Sequence, residues 1–508
     1  MSVMDRSEIL PFEVESQAGQ QQPVEVAVHS FSELFAASPW PVAVDTYQRG
    51  FVWGEDKILQ LADDLLQYQQ LEGGKPPYYM GTVLVHRHTD KSKRFIIDGQ
   101  QRLTALCVLH QRLKGKLPEQ CALTYSPASA ANIRKAAAAF HEPARRLTDA
   151  IFERIAFTVI TVERVDLAFT FFDSQNNRGV PLHATDLLKA YHLRAVVGAT
   201  PAQGLALQTL CARRWEDMQL GAPVLSHDQG FVSNLFAKFL WRARYWTGGR
   251  AIYGGHDALV TEFQSRTWEA AKGDAATVTL YRSQNNRLGA ALTLASDGRS
   301  EIHGGRVSLS THAEDLPFAI RQPIQKGAGF FLYAAKYAAL LRRLVHEPTQ
   351  SVQVQQFRQV HEQLLQANSL YLQEIFLLAS LMYVDQFGEE KLWDFSLWLE
   401  HALGALRVSK QQVRYETAQN FIKQDPDNPD NLNLLDVIAT SFRPEQVIDH
   451  LRAHHLHRDT YAAEAIEAGK GVQGDYKQAV LAYYRQTTQT SLGSKDKWIT
   501  SMLEGTLP

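Results

Sequence analysis

The stretch Phe95-Ile96-Ile97-Asp98-Gly99-Gln100-Gln101-Arg102-Leu103-Thr104-Ala105-Leu106 decides how the first part of this chain is read. Three apolar residues run into a polar turn, and Leu103, Leu106, Leu109 and Leu113 then recur at helical spacing. The segment therefore predicts a strand, a turn and an amphipathic helix. Glycine in the turn lets backbone come close to a ligand, and the first amides of the helix have no partners within it, which suits an anion. Arg102 brings a fixed fork of donors matched to phosphate, and Asp98 could coordinate magnesium or hold the turn. A polar strand-to-helix connection with a capping aspartate would use the same residues, and composition alone favours that plainer reading.

Working outward, Tyr79–Val85 is β-branched and apolar, and the charged turn His88–Arg94 joins it to Phe95–Ile97 as a hairpin. Upstream, Val42 and Val44 lead as a short strand into the turn Gln48-Arg49-Gly50. Ile58, Leu59, Leu61, Ala62, Leu65 and Leu66 then mark a helix. Downstream, Ala156–Val162 reads as a third strand, and Asn176–Pro181 breaks a helix before Leu187, Leu188, Ala190 and Tyr191 begin another. Beyond Pro201 long amphipathic segments dominate: Gly204–Met218, Gly230–Tyr245, Phe330–Val345, Val352–Gln366, Leu370–Tyr383 and Leu392–Leu406. Thr247–His256 and Ser296–Glu314 interrupt them as loops. The expected class is α+β. A polar lead-in (1–29) precedes a mixed domain (30–200), followed by helical domains at 201–345 and 346–508.

Two further constellations carry possible chemistry. Tyr47-Gln48-Arg49 with Trp53 could bring a second phosphate donor to the same cleft, or form a surface turn whose arginine pairs with Glu55 or Asp56. Phe172…Asn176-Asn177-Arg178-Gly179…Asp186-Leu187-Leu188-Lys189 offers hard oxygen ligands for magnesium, or a helix–turn–helix connection with Gly179 just past the first helix. His450, His454, His455 and His457 lack metal-ligand spacing and read as a solvated helix face. Trp241, Tyr245 and Trp246 could stack on a flipped base but fit a core better.

The 508 residues carry a formal charge of −2, with 45% hydrophobic and 21% charged residues, so a folded multidomain protein is expected and no global basic surface for nucleic acid exists. Cys107, Cys121 and Cys211 are too few and scattered for a disulfide framework, which points to a reducing cytoplasm. No signal peptide and no membrane-length apolar run is present, so no membrane association is expected. A Walker A loop, a dinucleotide fingerprint and a nucleophile elbow are all missing.

Taken in order, these constellations resemble GmrSD-type restriction proteins, specifically their N-terminal domain related to ParB and sulfiredoxin. The matching pieces are Tyr47-Gln48-Arg49…Trp53, Gly81-Thr82-Val83, Ile97 through Leu106, and Phe172…Asn176…Gly179…Leu182…Asp186-Leu187-Leu188-Lys189. A later piece is Gln322-Pro323-Ile324…Gly327…Phe330-Phe331…Tyr337. The resemblance implies a ParB-like domain that binds a nucleoside triphosphate with Mg2+. By position, Tyr47, Gln48, Arg49, Asp98, Gly99, Gln100, Gln101, Arg102, Thr104, Asn176, Gly179 and Lys189 would hold the nucleotide. Asn176 and Asp186 would face the metal, and Asp98, Gln101 and Arg102 would act in hydrolysis. It further implies anti-phage restriction of modified DNA. Asp436–Pro508 holds no His-x-x-Pro nuclease site with a following asparagine and histidine. The chain is therefore expected to be a GmrS-like sensor or regulatory subunit whose nuclease is a partner protein. A nucleotide-gated DNA- or protein-binding module without significant hydrolysis, and a self-sufficient nuclease, are the alternatives.

Overall fold

Alternation along two adjacent strands divides the N-terminal sheet into two buried faces. Val83, Val85 and Ile96 enter one large apolar cluster, while Leu84 and Ile97 join Val162 on the opposite face. The structure, a computed structural model, describes residues 24–506 apart from 46–47, 49, 72–75, 90, 126, 164–182, 223, 225–229, 270–276, 282–289, 295–299, 305–311, 367, 425–431 and 454–459. The chain divides into two compact units, Met1–Pro181 and Leu182–Pro508.

Unit 1 runs β1 (Val24–Ser30), α1 (Phe31–Ala36), β2 (Val42–Val44), α2 (Glu55–Gln70), β3 (Tyr78–His88), β4 (Lys93–Asp98), α3 (Gln100–Lys114), β5 (Cys121–Ala122), α4 (Pro127–Ala139), α5 (His141–Ala144), α6 (Ile151–Arg154) and β6 (Ile155–Val162). Among its described residues six strands form one sheet, in the order β1-β6-β3-β4-β2-β5. β3 and β4 form the expected antiparallel hairpin, β6 lies parallel to β3, and β2 lies parallel to β4. The expected helices at Ile58–Leu66 and from Leu103 onward are α2 and α3. Leu103, Leu106 and Leu109 of α3 are wholly buried, and truncating one such leucine costs about 2–5 kcal/mol.

The last residues of the lead-in, from Val24, are ordered despite its polarity. Val24–Ser30 is an edge strand paired antiparallel with β6, even though Val26 and Val28 remain exposed. Ser30 then caps α1: its Oγ accepts from Glu33 N at 3.1 Å, and Glu33 accepts from Ser30 N at 2.7 Å.

Unit 2 is mainly helical, beginning with α7 (Ala184–Arg194) and α8 (Pro201–Gln219). Helices Ala328–Val345, Leu370–Phe387 and Leu392–Ser409 follow the expected segments closely. The segments Gly230–Tyr245 and Val352–Gln366 contain π-helical turns at Leu235–Leu240 and His361–Leu365. Ser300–Gly304, read as loop, pairs with Ala290–Leu294 as a two-stranded ribbon. Trp241 and Trp246 are buried core, with Trp241 stacked on Tyr245 at 4.6 Å between ring centroids. Among the described residues no helix is long and apolar enough to cross a membrane.

Candidate functional site

Asp98 ends β4 opposite Leu84 of β3, and α3 begins two residues later. Gly99 makes that reversal with φ +90°, a left-handed conformation that a side chain disfavours. A Cβ there would also lie 3.0 Å from Val83 Cγ2, so glycine serves the turn and the close packing together. The N-terminus of α3 has no side-chain cap, which leaves the positive end of a fifteen-residue helix beside the Asp98 carboxylate.

Arg102 points back along this turn. Its Nη1 donates to Met80 O at 2.6 Å, and its Nη2 donates to Thr82 O at 2.7 Å and to Asp98 Oδ2 at 3.4 Å. β3 is bulged between Tyr79 and Thr82, with Gly81 at φ +91°. The guanidinium fills the space where a Gly81 Cβ would stand, 2.4 Å from Nη1. Two of the five arginine donors thus hold the bulge and a third meets Asp98, which leaves two for another acceptor. Side-chain exposures of 25% for Arg102 and 37% for Asp98 keep both within reach of solvent. Tyr79, whose hydroxyl lies 3.0 Å from Thr158 Oγ1, extends this polar surface. The Thr158 and Thr82 hydroxyls and the charge of Arg102 hold the Tyr79 phenol below its usual pKa.

The two glutamines do different work. Gln101 Oε1 accepts from Val52 N at 2.8 Å, and its Nε2 donates to Gly50 O at 2.9 Å, clamping the loop before α2. Gln48 Nε2 donates to Ile97 O at 3.1 Å, tying the same loop to the end of β4. Gln100 Nε2 donates to Tyr125 OH at 3.3 Å, and the Thr104 hydroxyl bonds Tyr125 as well. Burial pushes the Tyr125 phenol up to about 12.

Gln48, Asp98, Gly99, Gln100, Gln101, Arg102 and Thr104 therefore converge around one turn. Tyr47, Arg49, Asn176 and Gly179 lie outside the described residues. Asp186 and Lys189 belong to unit 2, on α7. The Lys189 amine is almost fully buried 3.4 Å from Glu216 on α8, and desolvation lowers its pKa. Among the described residues no three His, Cys, Asp or Glu side chains are grouped to hold a metal.

The loop clamp includes residues that sequence reasoning passed over. Ser129 Oγ accepts from Phe51 N at 3.0 Å, and Asn132 Nδ2 donates to Phe51 O at 3.0 Å. Their spacing of three on the alanine-rich α4 was the available signal of a shared polar face.

These features fit a known class. Residues 32–193 match the model of the GmrSD restriction endonuclease N-terminal domain, the domain that the motif order suggested, a range that takes in unit 1 from α1 onward and most of α7. Residues 207–467, just over half of the chain, match a family of unknown function, DUF7834, and the chain belongs to that family. No HNH nuclease domain was found, and a search of curated proteins returned no match. The N-terminal match covers about a third of the chain and is to a domain described for a restriction endonuclease.

Proposed function

We propose that unit 1 binds a nucleoside triphosphate with Mg2+, and that the chain is the nucleotide-dependent sensor or regulatory subunit of a restriction system acting on modified DNA. In this reading cleavage belongs to a partner nuclease. The observation that carries the proposal is the uncapped N-terminus of α3, placed between the partly exposed Asp98 and Arg102. Backbone amides at such a terminus suit phosphate oxygens, and the two remaining Arg102 donors could join them. Asp98 spends one carboxylate oxygen on Arg102, and the other is available to a hard cation. Magnesium bound there would neutralise phosphate charge.

Within this site Gln101 acts as a positioning residue, since both ends of its amide hold the Gly50–Val52 loop. That arrangement leaves Gln101 unable to orient a water without releasing the loop, which favours a second reading: a nucleotide-gated binding module without significant hydrolysis. A panel of four nucleoside triphosphates with MgCl2, followed by thermal shift and product release, separates the two. Ligand at one hundred times Kd should stabilise the protein by about 2.7 kcal/mol. Turnover supports the hydrolytic reading, a shift without product supports gating, and no shift with any nucleotide removes both.

A further inference from the structure

We propose that Cys107 and Cys121 form a dithiol that closes to a disulfide under mild oxidation, and that this cross-link displaces the first turn of α3 through Tyr125. In sequence the two cysteines look unrelated. In the fold their sulfurs lie 3.9 Å apart. Gln100, Thr104 and Cys107 share one face of α3 at helical spacing, and the segment from Cys121 to Tyr125 runs along it. Cys121 meets Cys107 at one end, and Tyr125 meets Thr104 and Gln100 at the other.

A disulfide needs sulfurs about 2.05 Å apart, so one side must move by about 2 Å. Cys107 sits in the interior of a buried helix, whereas Cys121 lies on the two-residue strand β5, at the edge of the sheet and paired with β2 among the described residues. The edge strand is the part able to yield. Tyr125, four residues further on, would be carried with it away from its partners on α3.

The two thiols are also unequal in chemistry. A hydrogen bond from Cys107 lowers the Cys121 thiol to about 7, while burial raises Cys107 well above its usual value. Half-buried Cys121 is therefore the attacking group and buried Cys107 the resolving one. With hydrogen peroxide as oxidant, the Cys121 thiolate attacks one peroxide oxygen, the O–O bond breaks, and Cys121 becomes a sulfenic acid as hydroxide leaves and takes up the proton released by the thiol, giving water. Cys107 sulfur then attacks Cys121 sulfur, its proton leaves with the hydroxyl as a second water, and the S–S bond forms. Two thiols lose two electrons, and the peroxide is reduced to two waters.

The test uses the full reduced chain, a small excess of hydrogen peroxide, and catalase to stop the reaction. Free thiols under denaturing conditions should fall from three to one, because Cys211 is buried with its thiol raised to about 11. Peptide mass should show Cys107 joined to Cys121, about 2 Da lighter than the reduced pair. Amide exchange over Gln100–Thr104 should change by roughly tenfold and recover with dithiothreitol. The C121S variant should keep both remaining thiols and its original exchange. Retention of all three thiols, cross-links between chains, or a disulfide with unchanged exchange would each overturn the proposal. None of these readouts involves nucleotide, so the result stands apart from the reading of the α3 turn as a nucleotide site.

Discussion

Replacing Arg102 with alanine tests how the turn is built. The guanidinium supplies donors at 2.6 and 2.7 Å to Met80 O and Thr82 O, on either side of the β3 bulge. A hydrogen bond involving a charged group contributes about 1.5–3 kcal/mol. Two such bonds set an upper range that solvent access at the quarter-exposed side chain reduces, to about 2–4 kcal/mol. Arg102→Lys should recover less than half of this, because an ammonium lacks the planar fork that spans both carbonyls. A double-mutant cycle with Gly81→Ala sharpens the test. In the native background a Gly81 Cβ meets both the left-handed φ and the guanidinium. In Arg102→Ala only the backbone strain, about 1–3 kcal/mol, remains. The two substitutions should therefore be less damaging together than their sum, by at least about 1 kcal/mol. The assay is urea unfolding with amide exchange followed over Met80–Val85 and Gln100–Leu106, since two units need not unfold together. Strict additivity, or an Arg102→Ala loss under about 0.5 kcal/mol, would refute the lodged-guanidinium account.

Gln101→Ala should free the Gly50–Val52 loop at a cost of about 1–3 kcal/mol for two backbone bonds, read as faster exchange at Val52. Lys495→Met should cost about 3–5 kcal/mol, because it strands the buried Glu400 carboxylate 2.7 Å away, while Lys495→Met with Glu400→Gln should cost less. Burial depresses His192 to about 3 and His361 to about 4, so both are neutral in the folded state. The unfolded chain takes up their protons below pH 6.5, so their contribution is complete above that pH and is lost as the pH falls toward 4. Each removes up to about 1.4 kcal/mol per pH unit in that window. His361→Gln should make the acid side of the stability profile shallower by that amount, and an unchanged slope would contradict the assignment.

The β3–β4 hairpin, α2, α3 and the long helices of unit 2 were legible because their apolar periodicity is local. Val24–Ser30 was not, since its strand exists through pairing with β6 more than a hundred residues away. The π-helical turns left no mark, because each spans only five or six residues, too short to set a period of its own. At the site, sequence singled out the Asp98–Arg102 turn but could not say what its side chains hold. The partners of Arg102 and Gln101 are backbone carbonyls and amides, which carry no sequence identity. The thiol pair was hidden for a similar reason: Cys107 lies in a helix and Cys121 on an edge strand that only the fold brings beside it.

The most direct test of the central claim is nucleotide binding by the full chain in MgCl2, comparing the native protein with Asp98→Asn. This substitution keeps the side-chain shape while removing the negative charge beside the α3 N-terminus. Saturable binding of at least one nucleoside triphosphate, weakened at least about tenfold in Asp98→Asn with melting temperature unchanged, is the predicted result. Binding of equal strength in both proteins would contradict the placement of the site, and no binding by the native chain would contradict the nucleotide reading itself.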